Sequence, residues 1–155
     1  MNTKLILSKV NSIEVISNKL EELLSELNTK TLNVSINVYN HEIKPLVNAA
    51  EEFEVATAKF SNMIRTLEIM CKDIDKLDGD KNITSEMVSI LKELHKNIKQ
   101  MGYKIFALRK AVKTMQIIDI TVISKAFIED ISKLSNCVKR LKESDSKLKY
   151  KLGGI

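Results

Sequence analysis

The segment DIDKLDGDKNITSEM, residues 73–87, has the aspartates, glycine and closing glutamate that a calcium-binding loop requires. Such a loop of about twelve residues places oxygen ligands at positions 1, 3, 5 and 12 and a glycine at position 6. If Gly79 takes position 6, ligand positions are occupied by Ile74, Lys76 and Ser85. The other two registers also lose required positions, so we expect no calcium site here.

The same segment favours a turn between two helices. Gly79 lies between two aspartates and supplies the positive φ that a tight turn needs, while the aspartates bond neighbouring amides. Thr84 is suited to cap the helix that follows. We therefore predict a polar turn over residues 75–84 and a helix that begins near Thr84.

Metal-binding residues are sparse elsewhere in the chain. The two histidines, His41 and His95, lie in no pattern that would place two ligands on one helical face. In an up-and-down bundle His95 and Cys137 would lie at similar heights, but two ligands do not complete a metal site. We predict no metal-binding residues.

Paired carboxylates offer no better active site. Glu21–Glu22 and Glu51–Glu52 are adjacent in sequence, and adjacent side chains diverge on a helix. The chain has only four glycines, two of them near its C-terminus, which cannot build a nucleophile elbow, a phosphate loop or a dinucleotide fingerprint. We predict no catalytic or cofactor-binding residues, no cofactor and no small-molecule substrate, and a protein that is not an enzyme.

Composition favours a soluble all-α protein. Four glycines and one proline in 155 residues are too few for the turns of a β-rich domain. Cys71 and Cys137 are typical of reduced thiols, and the chain opens without a signal-peptide pattern. Its longest apolar stretch, MQIIDITVI, is far shorter than the ~20 residues of a membrane span. We predict a cytoplasmic location, with export by a route that needs no signal peptide as the alternative.

Hydrophobic spacing predicts the fold. Apolar residues recur at alternating steps of four and three, a period of about 3.5 residues that indicates long helices packed side by side. The longest series is Leu32, Ile36, Tyr39, Ile43, Leu46, Ala50, Phe53, Thr57, Phe60, Ile64, Leu67, Cys71 and Ile74. We predict one all-α domain over residues 1–155, an antiparallel bundle of about four long helices with coiled-coil-like heptad packing. The alternative is one extended helical hairpin.

The predicted helix boundaries depend on two shifts of this pattern. The apolar stripe shifts by one residue between Leu27 and Leu32 and again between Met115 and Ile120, as a tight turn or a stutter within a longer helix would produce. If both shifts are turns, the helices cover residues 3–28, 31–75, 84–115 and 119–150, with a flexible tail at 150–155. In the hairpin alternative, residues 3–75 pair with residues 84–150.

Two local features bear on the second helix. Pro45 falls inside the predicted 31–75 helix and would kink it, because the ring displaces the carbonyl four residues back. The stretch TLNVSINVYN alternates apolar and polar residues as a half-buried strand does. We favour a helix there, because no partner strand is visible and the longer heptad pattern includes the same residues.

Positive charge is concentrated in the second half of the chain. Residues 1–78 carry a net charge of −3 and residues 79–155 a net charge of +8. The candidate face for an anionic partner consists of Lys92, Lys96, Lys99, Arg109, Lys110 and Lys113. A solvated helix face is the simpler interpretation, because only three of the 25 basic residues are arginines, which phosphate and base recognition prefer.

In size and predicted architecture the chain resembles the small helical proteins that are exported by, or partner with, specialised Gram-positive secretion systems. The Trp-x-Gly turn of the best-known members is absent, because this chain has no Trp. We therefore hypothesise a non-enzymatic scaffold, adaptor or secretion partner whose heptad faces bind a helical protein or a second copy of itself. The alternative is a basic accessory protein that binds nucleic acid non-specifically through its lysine-rich C-terminal half.

Overall fold

Four long α-helices make up the structure. The computed structural model describes residues 3–39, 43–79 and 83–153. Its helices are α1 (Thr3–Tyr39), α2 (Ile43–Leu77), α3 (Ser85–Lys113) and α4 (Ile117–Lys151). None of the described residues belongs to a strand. The all-α prediction is therefore confirmed.

The helices form a closed ring in which each packs on two others. α1 contacts α2 and α4, and α3 contacts the same two helices, so the pairs α1–α3 and α2–α4 lie across the core from each other. Ion pairs show that α1 and α4 are antiparallel: Glu14 pairs with Lys149, and Glu21, seven residues later, pairs with Lys142, seven residues earlier. The structure is thus the predicted four-helix bundle and not the extended hairpin.

The α1–α2 interface keeps the same heptad register. Lys9 pairs with Asp73 at 3.8 Å, and Lys30 pairs with Glu52 at 3.0 Å. The two α1 partners are 21 residues apart and so are the two α2 partners, which is three heptads on each helix. Exposed ion pairs of this kind contribute little stability, typically about 0–1 kcal/mol, but they report the alignment of the helices.

The core is built from the apolar stripes of all four helices. From Phe60 onward every α2 position of the predicted series is buried. The buried stripe of α3, in steps of four and three, is Met87, Leu91, Leu94, Ile98, Met101, Ile105, Leu108 and Val112. The buried apolar residues on α4 are Ile120, Phe127, Ile131, Leu134, Cys137, Val138, Leu141 and Leu148. Burial of such side chains stabilises the fold by about 1.5–3 kcal/mol each.

The predicted helix break at residues 28–31 is wrong. α1 runs through this segment, and its buried positions continue in steps of four and three without a shift of phase. Two of these positions, Ser17 and Thr31, are polar, which hid the pattern; the Thr31 hydroxyl donates to the Leu27 carbonyl at 2.9 Å. Leu32 and Ile36, expected in the core, are instead 47% and 56% exposed.

The expected kink at Pro45 is also wrong. Because α2 begins at Ile43, Pro45 lies in its first turn, where a backbone N–H has no acceptor inside the helix and the ring displaces no helical carbonyl. The strand alternative for TLNVSINVYN fails as well, since its residues up to Tyr39 are helical. Asn40 and His41 lie outside the described residues.

The α2–α3 connection contains the predicted turn glycine but not the predicted cap. Gly79 has a φ of +71°, as expected for a turn. Thr84 directly precedes α3, yet its side chain makes no capping hydrogen bond. Instead its hydroxyl donates to Asp75 Oδ2 at 2.8 Å and its backbone N–H donates to Asp75 Oδ1 at 3.0 Å. Thr84 therefore ties the start of α3 to the end of α2.

The second shift of phase is a turn, as predicted. α3 ends at Lys113 and α4 begins at Ile117, two residues earlier on each side than expected. Met115 adopts a φ of 54°, a left-handed conformation that reverses the chain within three residues. Gln116 precedes α4 without a side-chain cap, and Asp119 lies in the first turn of the helix.

The continuity of α1 is testable with proline. Thr29 is exposed in the middle of the segment expected to be a turn. We expect Thr29→Pro to lower the free energy of unfolding by about 3 kcal/mol, because it removes a helical hydrogen bond and clashes with the preceding turn. Thr29→Ala should change it by less than about 0.5 kcal/mol. Chemical denaturation followed by circular dichroism measures both; equal stabilities would indicate a turn.

Asp145 is the most unusual residue of the core. It is only 2% exposed, occupies a position of the α4 apolar stripe, and its Oδ1 has no hydrogen-bond partner among the described residues. Burial and the nearby charge of Glu14 raise its pKa to about 7, with Lys149 opposing. Because the folded state prefers the protonated carboxyl, Asp145 favours folding at low pH and disfavours it once ionised.

We therefore expect the free energy of unfolding to fall as the pH rises from about 4 to about 7, by about 2–4 kcal/mol from this residue alone. Asp145→Asn, which cannot ionise, should remove most of this fall and be the more stable protein above neutral pH. Glu143→Gln removes an exposed carboxylate from the same helix and is the control. Denaturant titrations at several pH values measure the free energy of unfolding of each protein. A pH profile for Asp145→Asn that runs parallel to that of the wild type would contradict the expectation.

Candidate interaction surface

One face of α3 combines exposed lysines with exposed aromatic rings. Opposite its buried stripe, α3 presents a second series in steps of four and three, which we call the α3 outer stripe. Its members, all exposed, are Lys92, Lys96, Lys99, Tyr103, Phe106, Lys110 and Lys113. Tyr103 is 69% and Phe106 73% exposed, which leaves two large rings near the centre of a basic face.

Five of the six basic residues singled out from the sequence belong to this stripe. The sixth, Arg109, lies toward α2, where its guanidinium pairs with Glu54 at 3.1 Å. No carboxylate oxygen in residues 3–39, 43–79 or 83–153 lies within 4.0 Å of the ammonium group of any of the five lysines. Their charge is therefore available to a partner.

A groove between α2 and α3 borders the stripe. It has a volume of about 610 Å³, and small residues of both helices line it, namely Ala58 and Ser61 on α2 and Gly102 on α3. Ile98, Ile105 and Phe106 add apolar surface. The groove lies between the two helices rather than in the core, so it is open to a side chain that approaches from solvent.

Gly102 is not required by the fold. A Cβ atom built at this position meets no atom within 4 Å, and the residue lies in regular helix. A glycine inside a helix costs about 1 kcal/mol relative to alanine, so an internal contact would normally justify it. The space above Gly102 is on the outside of the bundle.

The two edges of the groove differ in charge. The α3 edge carries Lys99 and the adjoining lysines of the outer stripe. The α2 edge carries Glu54 and, one turn earlier, Glu51, together with Arg65 further along the helix. A partner therefore meets a basic edge on one side and a mixed, partly acidic edge on the other.

Other surfaces are less suited to a specific contact. A larger groove of about 1150 Å³ lies between α1 and α4, lined by serine, lysine, glutamate and asparagine residues with a few aliphatic ones and by no aromatic side chain. Several exposed aliphatic side chains lie at the end of the bundle where α1 ends and α4 begins, including Leu32, Ile36, Ile118 and Val122.

The candidate metal and catalytic residues are not brought together. Among the described residues, no group of three or more His, Cys, Asp or Glu side chains could hold a metal ion. His95 lies 3.8 Å from Glu68 of α2, whereas the polar neighbour of the Cys137 sulfur is Asn97, at 4.0 Å. His41 lies outside the described residues.

The adjacent carboxylates diverge as expected. Glu52 turns toward α1 and pairs with Lys30, while Glu51 lies on the side of α2 that faces α3. Glu21 pairs with Lys142 of α4, and its neighbour Glu22 is exposed. Neither pair forms the facing arrangement of two carboxylates that acid–base chemistry uses.

No family model matches the chain, and no curated protein is similar to it in sequence. Within the described ranges, none of the four helices is both long enough and apolar enough to span a bilayer.

Both thiols should be inert in the folded protein. Cys71 is buried, and burial together with the nearby Asp75 carboxylate raises its pKa to about 12. Burial also raises the pKa of Cys137. We expect a thiol reagent at mildly alkaline pH to modify neither residue until the chain is unfolded by guanidinium. Ser135→Cys, at an exposed position of α4, is the control that should react at once; rapid reaction of the wild type would contradict the burial of both thiols.

Proposed function

We propose that this protein is a non-enzymatic helical interaction protein, a scaffold, adaptor or secretion partner, that binds another helical protein through the outer faces of its bundle. One observation carries the proposal: Tyr103 and Phe106 are each more than two thirds exposed at the centre of the α3 outer stripe. The other large apolar side chains of α3 are buried or half-buried, whereas these two rings are exposed. Exposed aromatic residues are typical anchors of protein interfaces.

The aliphatic end of the bundle supports a related mode of action. Leu32, Ile36, Ile118 and Val122 are exposed at the end of the bundle where α1 ends and α4 begins, and exposed apolar surface favours association. A second copy of the chain is thus the simplest partner for this end, distinct from the partner of the α3 outer stripe. Coiled-coil pairing between copies belongs to the same proposal.

Non-specific nucleic-acid binding is the second candidate, favoured by the five lysines without a described carboxylate partner. Such a row would attract phosphates through counterion release. Against it, Glu51 borders the same surface and would repel a phosphate backbone, whereas Glu54 is paired with Arg109. Lysine also lacks the bidentate geometry with which arginine recognises phosphates and bases.

Light scattering and duplex binding separate the two candidates. We expect a mass above that of one chain, or binding of helical peptides, together with duplex DNA affinity weaker than about 1 µM at physiological salt. The matched variants are Lys96→Glu on the α3 outer stripe and Lys133→Glu on an exposed position of α4. Submicromolar duplex binding that falls about a thousandfold or more between about 50 and 200 mM salt, and is weakened only by Lys96→Glu, would overturn the proposal in favour of nucleic acid.

A further inference from the structure

We infer that the groove between α2 and α3 is the docking site for one acidic amphipathic helix of a partner protein. The apolar side chains of that helix enter the groove at Gly102, and its carboxylates face the lysines of the α3 outer stripe. This inference rests on the proposed function and specifies both the surface and the chemistry of the partner.

The groove runs between residues 54–65 of α2 and residues 95–109 of α3. On the α2 side, the small side chains of Ala58 and Ser61 line the groove and fill little of it. The resulting opening runs along the helix axes, which is the shape that a helix laid lengthwise would occupy.

Gly102 leaves open space on the α3 side of the groove. Because an added Cβ would touch nothing within 4 Å, the glycine does not serve the packing of α3 on α2. It does leave room for a side chain of a partner helix, as small residues do where two helices approach closely. Docking of a partner helix explains a helix-weakening residue that the isolated bundle does not need.

Phe106 supplies the apolar anchor beside that opening. Its ring borders the groove and is 73% exposed, so a partner side chain placed over Gly102 would also cover the ring. Anchors of this type, an aromatic ring next to a small pocket, contribute most of the energy of many helix-in-groove interfaces.

Charge selects an acidic partner. Lys99 borders the groove directly, and Lys110 and Lys113 border its continuation between Val47 and Phe106. Glutamates on one flank of a docked helix would lie over these ammonium groups, whose charges no described carboxylate neutralises. A partner with lysines on the same flank would be repelled.

The groove favours a helix over a polyanion. A phosphate backbone carries charge at every step and would meet Glu51 on the α2 edge as well as the lysines on the α3 edge. A helix places different residues on its two flanks and can match both edges. A duplex also has no side chain that could fill the space over Gly102.

An unbiased selection tests the partner chemistry. A display library of helical peptides about 20 residues long, randomised at every surface position, is selected against the intact protein. We expect enriched peptides to be net acidic and to carry apolar residues at i, i+3 or i+4, and i+7. Individual peptides are then synthesised, and their affinities are measured by fluorescence anisotropy.

Two matched substitutions test the location. Gly102→Leu fills the groove, and Ala107→Leu places the same side chain at an exposed position of α3 that faces the α4 side. We expect Gly102→Leu to weaken peptide binding at least about tenfold and Ala107→Leu to leave it within about twofold. Leucine favours helix more than glycine does, so the thermal midpoint of Gly102→Leu should be no lower than that of the wild type.

The outcomes separate this inference from the proposed function. Acidic peptides that lose affinity for Gly102→Leu alone support the docking site. Peptides that bind Gly102→Leu as well as the wild type, or that carry no net negative charge, overturn the inference but leave a helical interaction protein in place. If no peptide is enriched and the chain is monomeric while it binds duplex DNA, both fail.

Discussion

The bundle depends on the burial of apolar side chains at alternating steps of three and four along all four helices. A straight helix has 3.6 residues per turn, so a 3.5-residue stripe drifts by about 20° per heptad and stays against its neighbours only when the helices wind slightly around one another. The interhelical ion pairs follow the same spacing, seven residues on α1 and α4 and 21 on α1 and α2. The apolar stripes set the alignment, and the charges at their edges conform to it.

Polar residues at positions of the apolar stripes show which polar groups the core can accommodate. Thr31 satisfies its hydroxyl within its own helix, and Thr84 bonds to Asp75 across the α2–α3 connection. The Oδ1 atom of Asp145 has no hydrogen-bond partner among the described residues, so the ionised form of this side chain opposes folding. A stripe position accepts a polar group at low cost only where a backbone or side-chain partner lies within reach.

Sequence spacing predicted the helices and most of the core because burial follows periodicity. It failed at residues 28–31, where Thr31 continues a stripe that a count of apolar residues interrupts, and so Leu32 and Ile36 were assigned to the wrong face. The five lysines of α3 were predicted from composition, but the groove beside them was not. Its depth depends on the distance between α2 and α3, which no local pattern encodes, although Gly102 inside a helix was a signal of it.

The order of helices around the ring bears on how the chain folds. Three of the four interfaces, α1–α2, α2–α3 and α3–α4, join helices that are consecutive in sequence, and only α1–α4 brings distant segments together. Such a low contact order is associated with folding in microseconds to milliseconds. Ring closure between α1 and α4 carries the largest loop-closure entropy and is the step that converts a string of hairpins into a cooperative unit.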